Sequence, residues 1–349
     1  MNPTAIPIAQ HRIGPTYKPF IIAEMSGNHN QSLDRALRIV DEAARAGAHA
    51  IKLQTYTADT MTVRGALTID DPTSLWFGKE LHELYREAYT PWEWHRPIMA
   101  RAREQGLICF SSPFDESAVD FLEELEVPLY KIASFENADW ELLKKVARTG
   151  KPVIMSTGAS DLATVFQSVQ VLKQHGCREL VLLKCTSTYP ATPENTNLAT
   201  IPVLQQIFPD CVIGLSDHTM GLGAAVAAVA LGARVIEKHF TLRRADGGVD
   251  SAFSLEPEEL RSLVVETERA FLALGQPQFN VQASEKKSLK FKRSIYAVKD
   301  IRPGEPFTKD NLRVIRPGDG LEPQYFERLI GKTAHQEIKS GTPLNWQIV

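Results

Sequence analysis

Short apolar segments alternate with amphipathic segments along most of the chain. Between the apolar segments, apolar residues recur at spacings of three and four, which predicts helices such as Ser32–Ala46, Trp92–Gln105, Ser117–Leu125 and Asp161–His175. The apolar segments themselves predict strands, and there are eight: Phe20–Met25, Ala50–Thr55, Leu107–Ser112, Leu129–Ser134, Val153–Gly158, Leu180–Cys185, Val212–Asp217 and Val235–Phe240.

The order of these elements indicates a parallel sheet, because parallel neighbours need a crossover connection between them. Eight strand–helix units are also the number that closes a (β/α)8 barrel, the TIM barrel. An open doubly wound sheet is the alternative. It would normally carry a GxGxxG motif after its first strand, where this chain has Met25-Ser26-Gly27-Asn28-His29. We therefore expect a TIM barrel.

The pattern changes after Gly275. Residues 276–290 are polar and contain several lysines, as is typical of a linker, and residues 291–349 contain short β-like pieces separated by Pro-Gly turns. We expect a catalytic barrel over 1–275, a linker over 276–290 and a small β-rich domain over 291–349. A domain this small is only marginally stable by itself. We therefore expect it to dock on its own barrel or on a partner's barrel.

Composition and charge exclude several classes of protein. The formal net charge is −3, which gives no general affinity for nucleic acid or an anionic membrane. The N-terminus lacks the pattern of a signal peptide, and no apolar run reaches membrane-spanning length. The four cysteines form no CxxC pair, which favours buried thiols over disulfides or a zinc knuckle. We expect a cytoplasmic enzyme that binds small molecules.

Polar residues cluster where the predicted strands end, and barrel active sites lie at those ends. Lys52 and Lys131 occupy equivalent positions of the second and fourth strands, so both ammonium groups should face one barrel mouth. Hydroxyl donors follow on neighbouring strands: Ser134, Ser156 and Ser216. This set predicts a pocket for a phosphate and a carboxylate. The alternative is that each lysine simply pairs with a barrel carboxylate such as Glu24 or Glu237.

His218 and His239 end neighbouring strands, whose backbones lie about 5 Å apart. Two imidazoles at that spacing can hold one divalent metal ion and leave positions open for water and substrate. Mn²⁺ is the expected ion, with Mg²⁺ and Co²⁺ as alternatives. Glu136 and Asp250 follow strands nearby, and each could transfer a proton or orient a hydroxyl; a helix cap or a surface loop is the alternative for either.

One connection, from Tyr56 to Thr90, is unusually long and leaves the carboxyl end of a strand. It contains Trp76, Phe77 and Tyr85, so we interpret it as a flap over the substrate. An insertion without a role at the active site is the alternative.

Several motifs are similar to those of the sialic acid synthase family. They cover nearly the whole chain in order: Phe20–Glu24 with Gly27–Asn30, Lys52–Thr55, Tyr130–Ser134, Ser156–Gly158, Cys185–Pro190, Gly214–Thr219 and Glu237–Thr241. The tail, with Arg293–Ile295 and Arg316–Gly318, resembles the family's antifreeze-like (SAF) domain. The resemblance implies a TIM barrel and a domain-swapped homodimer in which one subunit's SAF domain caps the other's barrel.

The resemblance also implies roles for individual residues. His218 and His239 would hold the metal ion, and Glu24, Glu136 and Asp250 would face the sugar or move protons. Phosphoenolpyruvate would be surrounded by Lys52, Gln54, Lys131, Ser134, Ser156, Ser187, Tyr189 and Ser216. The N-acetylated amino sugar would contact Asn28, Phe253 and the partner's Arg316, although Phe253 could instead pack against the following helix.

The implied reaction joins phosphoenolpyruvate to the aldehyde of an open-chain amino sugar, with loss of phosphate. Residues 248–255 resemble the branch of the family that uses 2,4-diacetamido-2,4,6-trideoxy-L-altrose; the branches that form N-acetylneuraminate or legionaminate are alternatives. A metal-binding barrel without catalysis, its tail serving as an interaction module, is a rival from another class, and a phosphatase or aldolase-like barrel is a further one.

Overall fold

A closed barrel of eight parallel strands forms the centre of the computed structural model, which describes residues 5–349. An antiparallel hairpin of β1 (Ile6–Ile8) and β2 (His11–Ile13) precedes it. The barrel strands are β3 (Phe20–Glu24), β4 (Ala50–Thr55), β5 (Ile108–Pro113), β6 (Tyr130–Ile132), β7 (Val153–Ser156), β8 (Leu180–Cys185), β9 (Val212–Asp217) and β10 (Val235–His239). Each strand pairs with the next, and β10 closes the ring on β3. The predicted TIM barrel is confirmed.

Helices connect the barrel strands, as the alternating pattern predicted. They are α1 (Leu33–Ala46), α2 (Ala58–Met61), α3 (Leu81–Ala88), α4 (His95–Glu104), α5 (Glu116–Glu124), α6 (Trp140–Arg148), α7 (Leu162–Gln174), α8 (Pro193–Thr196), α9 (Thr200–Ile207), α10 (Gly223–Ala230) and α11 (Pro257–Leu274). Capping explains why several begin where they do. The Ser32 side chain accepts a hydrogen bond from the Arg35 backbone at the start of α1, and the Asp161 side chain accepts one from Thr164 at the start of α7.

Two apolar cores hold the barrel together. One fills the space between the strands and the surrounding helices. The other fills the barrel interior near the amino ends of the strands, where Phe20, Phe110 and Val235 pack with Ile8 and Ile13 of the hairpin. The hairpin, which the sequence did not reveal, therefore closes that end of the barrel with apolar side chains. The polar strand residues are left to the opposite, carboxyl end.

Residues 276–349 form a second compact unit, and the division falls directly after Gly275. A 3-10 helix, Ala283–Phe291, occupies the second half of the expected linker and extends one residue beyond it. Beyond it, β11 (Ser294–Ala297) and β12 (Leu312–Ile315) form an antiparallel pair, followed by the one-turn helix α12 (Phe326–Leu329). A small core of Ile295, Phe307, Leu312, Leu329, Ile338 and Leu344 stabilises the unit.

All four cysteines are buried and free of disulfides. Within residues 5–349, every helix is too short or too polar to cross a bilayer.

Candidate active site

A cavity of about 480 Å³ opens at the carboxyl ends of the barrel strands. Most residues that the sequence nominated line it together: Lys52, Gln54, Lys131, Ser134, Glu136, Ser156, Ser187, Tyr189, Ser216, His218, His239 and Asp250. Barrel strands run parallel, so their carboxyl ends meet at one mouth, and residues far apart in sequence converge there.

Two lysines form the floor of this cavity, and both are almost fully buried. Lys52 Nζ lies 3.0 Å from Glu24 Oε2 and 3.1 Å from Glu237 Oε1, and Lys131 Nζ lies 3.7 Å from the same Glu237 oxygen. Lys131 also donates a hydrogen bond of 2.8 Å to Ser156 Oγ. The lysines therefore line the cavity and pair with barrel carboxylates at the same time, and Glu237, which the sequence suggested only as a pairing partner, links them.

The charges of this cluster suit an anionic ligand. Burial raises the pKa of Glu237, but attraction to Lys131 and Lys52 outweighs burial and lowers the pKa to about 2, so Glu237 stays ionised. Burial raises the pKa of Glu24 to about 7 despite the Lys52 ammonium, and burial lowers the pKa of Lys131 to about 8. When Glu24 is protonated the cluster has two cations against one anion, which favours a bound phosphate or carboxylate.

Serine hydroxyls surround the lysines, and one glycine makes room for two of them. A Cβ at Gly158 would lie 2.7 Å from Ser134 Oγ and still closer to Ser187 Oγ. Any larger residue there would displace both hydroxyls. Ser216 Oγ donates to Glu237 Oε1 at 3.1 Å. The cavity thus presents ammonium and hydroxyl donors from five strands or strand ends to one small volume, an arrangement that stabilises negative charge.

The imidazoles of His218 and His239 lie beside these donors, with ring centroids 5.3 Å apart. His218 Nδ1 lies 2.9 Å from the Thr186 carbonyl oxygen, so Nδ1 carries a hydrogen, and in the neutral ring Nε2 offers its lone pair. His239 Nδ1 is buried without a hydrogen-bond partner and lies 3.8 Å from Asp250 Oδ2. Burial lowers the pKa of His239 well below its usual value, which keeps the ring neutral.

This pair fits a divalent metal ion with few protein ligands. No group of three His, Cys, Asp or Glu side chains in the described part of the chain is arranged to hold a metal. A neutral imidazole with an orphaned nitrogen beside a second imidazole is nevertheless a suitable donor pair, and water and substrate oxygens can complete the coordination.

Two carboxyl groups of the cavity are suited to proton transfer. Glu136 ends a 3-10 turn after β6, and its Oε2 is buried without a hydrogen-bond partner. Burial raises the pKa of Glu136 to about 7. A general base is most effective when its pKa lies near the working pH. Burial also raises the pKa of Asp250, which lies in the loop after β10.

Cys185 is a cavity residue that the sequence assigned only to the core. Its Sγ lies 4.0 Å from His218 Nδ1 and 3.8 Å from Ser187 Oγ. Burial raises the pKa of the thiol, but the interactions with His218, Ser134 and Lys131 together outweigh burial and lower the pKa to about 6. Its position at the very end of β8 was the signal available in the sequence, because alternation along the strand places Cys185 and Ser187 on one face.

The long connection after β4 forms the apolar side of the cavity. It contributes Tyr56, Met61, Ile69, Trp76, Leu81, Leu84, Tyr85 and Ala88, a set we call the apolar wall. Trp76 Nε1 donates a hydrogen bond of 2.9 Å to the Val249 carbonyl, which joins the connection to the loop that carries Asp250. The connection therefore lines one side of the cavity, and its role as a flap stays a prediction; Phe77 is outside the lining and is 57% exposed.

Four nominated residues lie outside the cavity lining. Glu24 is directly behind it, where Gln54 Nε2 donates to its Oε1 at 2.9 Å. Asn28 is fully buried, and its amide donates to the Phe240 carbonyl at 2.9 Å and to Ser254 Oγ at 2.8 Å, so it holds the loops of the cavity in place.

The other two are Phe253 and Arg316. Phe253 is 2% exposed, with its ring 4.9 Å from that of His239, so it packs behind the histidines. Arg316 is an exposed residue of the second unit.

Comparison with known proteins finds relatives for both parts of the chain. The sequence signature of the NeuB family matches residues 39–279, and that of the SAF domain matches residues 292–348. The pseudaminic acid synthase of Campylobacter jejuni is 43% identical over 94% of this chain and 95% of its own length. That of Helicobacter pylori is 40% identical over 94% of this chain and 96% of its own length. The crystal structure of the N-acetylneuraminic acid synthetase of Leptospira borgpetersenii has a TM-score of 0.74 at 33% identity, covering 83% of this chain and 96% of that one.

Proposed function

The chain belongs to the NeuB family, and from this premise we propose that it is a pseudaminic acid synthase. It condenses phosphoenolpyruvate with 2,4-diacetamido-2,4,6-trideoxy-L-altrose and water, and it releases phosphate and a nine-carbon 2-keto acid. The relatives from Campylobacter jejuni and Helicobacter pylori, which carry that name, support the choice of sugar.

The observation that carries the proposal is the division of the cavity into two unlike sides. Lys52, Lys131 and the serines form a side that suits the phosphate and carboxylate of phosphoenolpyruvate. The apolar wall faces the same space. A trideoxy sugar with two acetamido groups presents three methyl groups, whereas N-acetylmannosamine presents one and carries a hydroxymethyl group at C6. An apolar wall favours the sugar with more methyl groups.

The residues of the cavity can carry each step of the reaction. The lysines and serines hold phosphoenolpyruvate while its C3 forms a bond to the sugar's aldehyde carbon. The aldehyde oxygen takes a proton from Asp250, which lines the cavity and whose pKa is raised by burial. Positive charge develops at C2, and Glu136 accepts a proton from the water that adds there. The C2–O bond to phosphate then breaks, the C2 hydroxyl loses its proton and the ketone forms.

We assign a divalent cation, Mn²⁺ in preference to Mg²⁺ or Co²⁺, to His218 and His239. When bound, it would supply Lewis-acid polarisation of the sugar aldehyde. The neutral ring of His239, the free Nε2 of His218 and the unpartnered His239 Nδ1 support this assignment.

We also propose a cytoplasmic homodimer in which the SAF domain of one subunit caps the barrel of the other and Arg316 contacts the sugar's acetamido groups. The small core of the second unit supports this idea, because so few apolar residues stabilise an isolated domain only weakly. Sedimentation of the purified protein tests for the dimer. A mixture of Arg316→Ala and Glu136→Gln subunits tests the domain swap. If each site combines one subunit's barrel with the other's SAF domain, mixed dimers regain activity; if each site is formed by a single subunit, they do not.

The test of the function is phosphate release from phosphoenolpyruvate in the presence of Mn²⁺, with each sugar offered separately. We expect release with the diacetamido-trideoxy-altrose and little with N-acetylmannosamine. Release with N-acetylmannosamine alone would contradict the substrate assignment but keep the reaction class. Release without any sugar would indicate a phosphatase, and no release with either sugar would contradict the proposal. His218→Ala serves as the inactive control.

A further inference from the structure

Two buried charged residues stand next to the proposed metal ligands and have no role in the reaction described above. Asp217 precedes His218 at the end of β9, and Lys238 precedes His239 at the end of β10. Both side chains are at most 2% exposed, yet neither lines the cavity, whereas both histidines do. Because side chains alternate along a strand, Asp217 and Lys238 lie on the outer face of the barrel, behind the histidines.

Hydrogen bonds join the two strand ends through these residues. Asp217 Oδ1 accepts from the Thr219 backbone N–H at 2.9 Å and from the Thr219 hydroxyl at 2.8 Å, so the carboxylate closes a turn around His218. Lys238 Nζ donates to Asp217 Oδ2 at 2.8 Å and to the Thr219 carbonyl at 2.7 Å. The ammonium beside His239 is therefore bonded to both residues that flank His218.

Stability alone does not account for this ion pair. Taking two charges out of water costs several kcal/mol per ion, and an apolar pair of similar volume is often equally stable or more so. An ion pair with hydrogen bonds differs from an apolar pair because its contacts are directional and fix the relative position of the two strands.

A metal site with only two protein ligands depends on the relative position of the two strands that carry them. Each histidine can offer one nitrogen to a metal ion, and no third His, Cys, Asp or Glu completes a ligand group among residues 5–349. A shift of one strand end against the other would therefore misplace half of the protein's donors. Residues that orient metal ligands from behind commonly change metal affinity by about 10–100-fold when they are replaced.

We propose that Asp217 and Lys238, together with Thr219, are positioning residues that fix the separation and orientation of His218 and His239 for a divalent cation. The inference rests on the metal centre of the proposed function. It assigns a purpose to Asp217 of the Ser-Asp-His-Thr motif and to Lys238 of the Glu-Lys-His-Phe motif, neither of which lines the cavity.

The test is the double variant Asp217→Asn/Lys238→Met of the full-length protein. Asparagine keeps an oxygen that can accept from Thr219, so the turn is retained, while the link between the strands is lost and no unpaired charge remains. Mn²⁺ titration followed by electron paramagnetic resonance detects free Mn²⁺ and needs no turnover. We expect the dissociation constant for Mn²⁺ to rise about 10–100-fold, with a thermal midpoint close to that of the wild type.

Two controls make the titration specific. His218→Ala should abolish the binding, which identifies the titrated site. Ser111→Ala removes a buried hydroxyl that is hydrogen-bonded to Thr55 at 2.6 Å on strands away from the histidines, and it should leave Mn²⁺ affinity unchanged. If the double variant does not fold, Thr219→Val replaces it. That change is nearly isosteric and removes the hydroxyl hydrogen bond to Asp217 that helps to close the turn around His218. We expect a smaller but measurable loss of Mn²⁺ affinity.

The outcomes separate this inference from the function on which it rests. An unchanged Mn²⁺ dissociation constant in a folded variant would show that the pair only stabilises the barrel, and the inference would be wrong. Failure of the wild-type protein to bind Mn²⁺ would instead refute the metal centre itself, and the positioning role with it.

Discussion

Replacing Glu136 with glutamine tests whether this carboxylate takes the proton from the attacking water. Its Oε2 is buried without a partner, and burial raises its pKa to about 7. A group with that pKa is about 75% ionised at pH 7.5 and about 10% ionised at pH 6. A base acts only when ionised, so kcat of the wild type should fall about eightfold between these two pH values.

Glutamine has nearly the same shape as glutamate but cannot accept the proton. A positioned general base contributes about 10²–10⁴-fold to a rate, so kcat of Glu136→Gln should fall by that factor and lose its dependence on pH below 7. Phosphate release at saturating substrates, measured between about pH 5.5 and 8.5, gives both quantities. The KM for phosphoenolpyruvate should change little.

Glu141→Gln is the matched control, because this glutamate lies on α6 with its side chain 73% exposed, and we expect wild-type kinetics. A Glu136→Gln enzyme that keeps the decline of kcat below pH 7 would refute the assignment.

Three further substitutions test the two sides of the cavity. Lys131→Met removes a charged hydrogen-bond donor worth about 1.5–3 kcal/mol, so the KM for phosphoenolpyruvate should rise about 10–150-fold. The KM for the sugar should change little, and equal effects on both KM values would contradict the role of Lys131. Trp76→Phe keeps the ring but loses the hydrogen bond to the loop after β10, so the KM for the sugar should rise about 2–13-fold, whereas the exposed neighbour Phe77→Leu should have no effect. Gly158→Ala adds a methyl group that collides with the Ser187 hydroxyl, and isothermal titration should show weaker binding of phosphoenolpyruvate in a protein that remains folded; unchanged affinity would exclude that hydroxyl from the site.

The sequence by itself determined the barrel and the set of polar residues at its mouth. Strand and helix periodicities are local properties, so the bounds of β4, β8 and β9 agree with the predicted segments. Once eight parallel strands are recognised, their carboxyl ends must meet, and Lys52, Lys131, His218 and His239 must then converge. The N-terminal hairpin escaped detection because its strands have only three residues each, too few to show a period.

Only the tertiary structure decided which of these polar residues contact one another. The sharing of Glu237 by Lys52 and Lys131 depends on packing between strands far apart in the sequence. The position of Asn28 also depends on distant residues. Its amide donates to residues more than two hundred positions away, and its side chain therefore lies outside the cavity lining. Side-chain direction and hydrogen-bond partner are non-local, because each is set by whichever neighbours the closed barrel brings within about 3 Å.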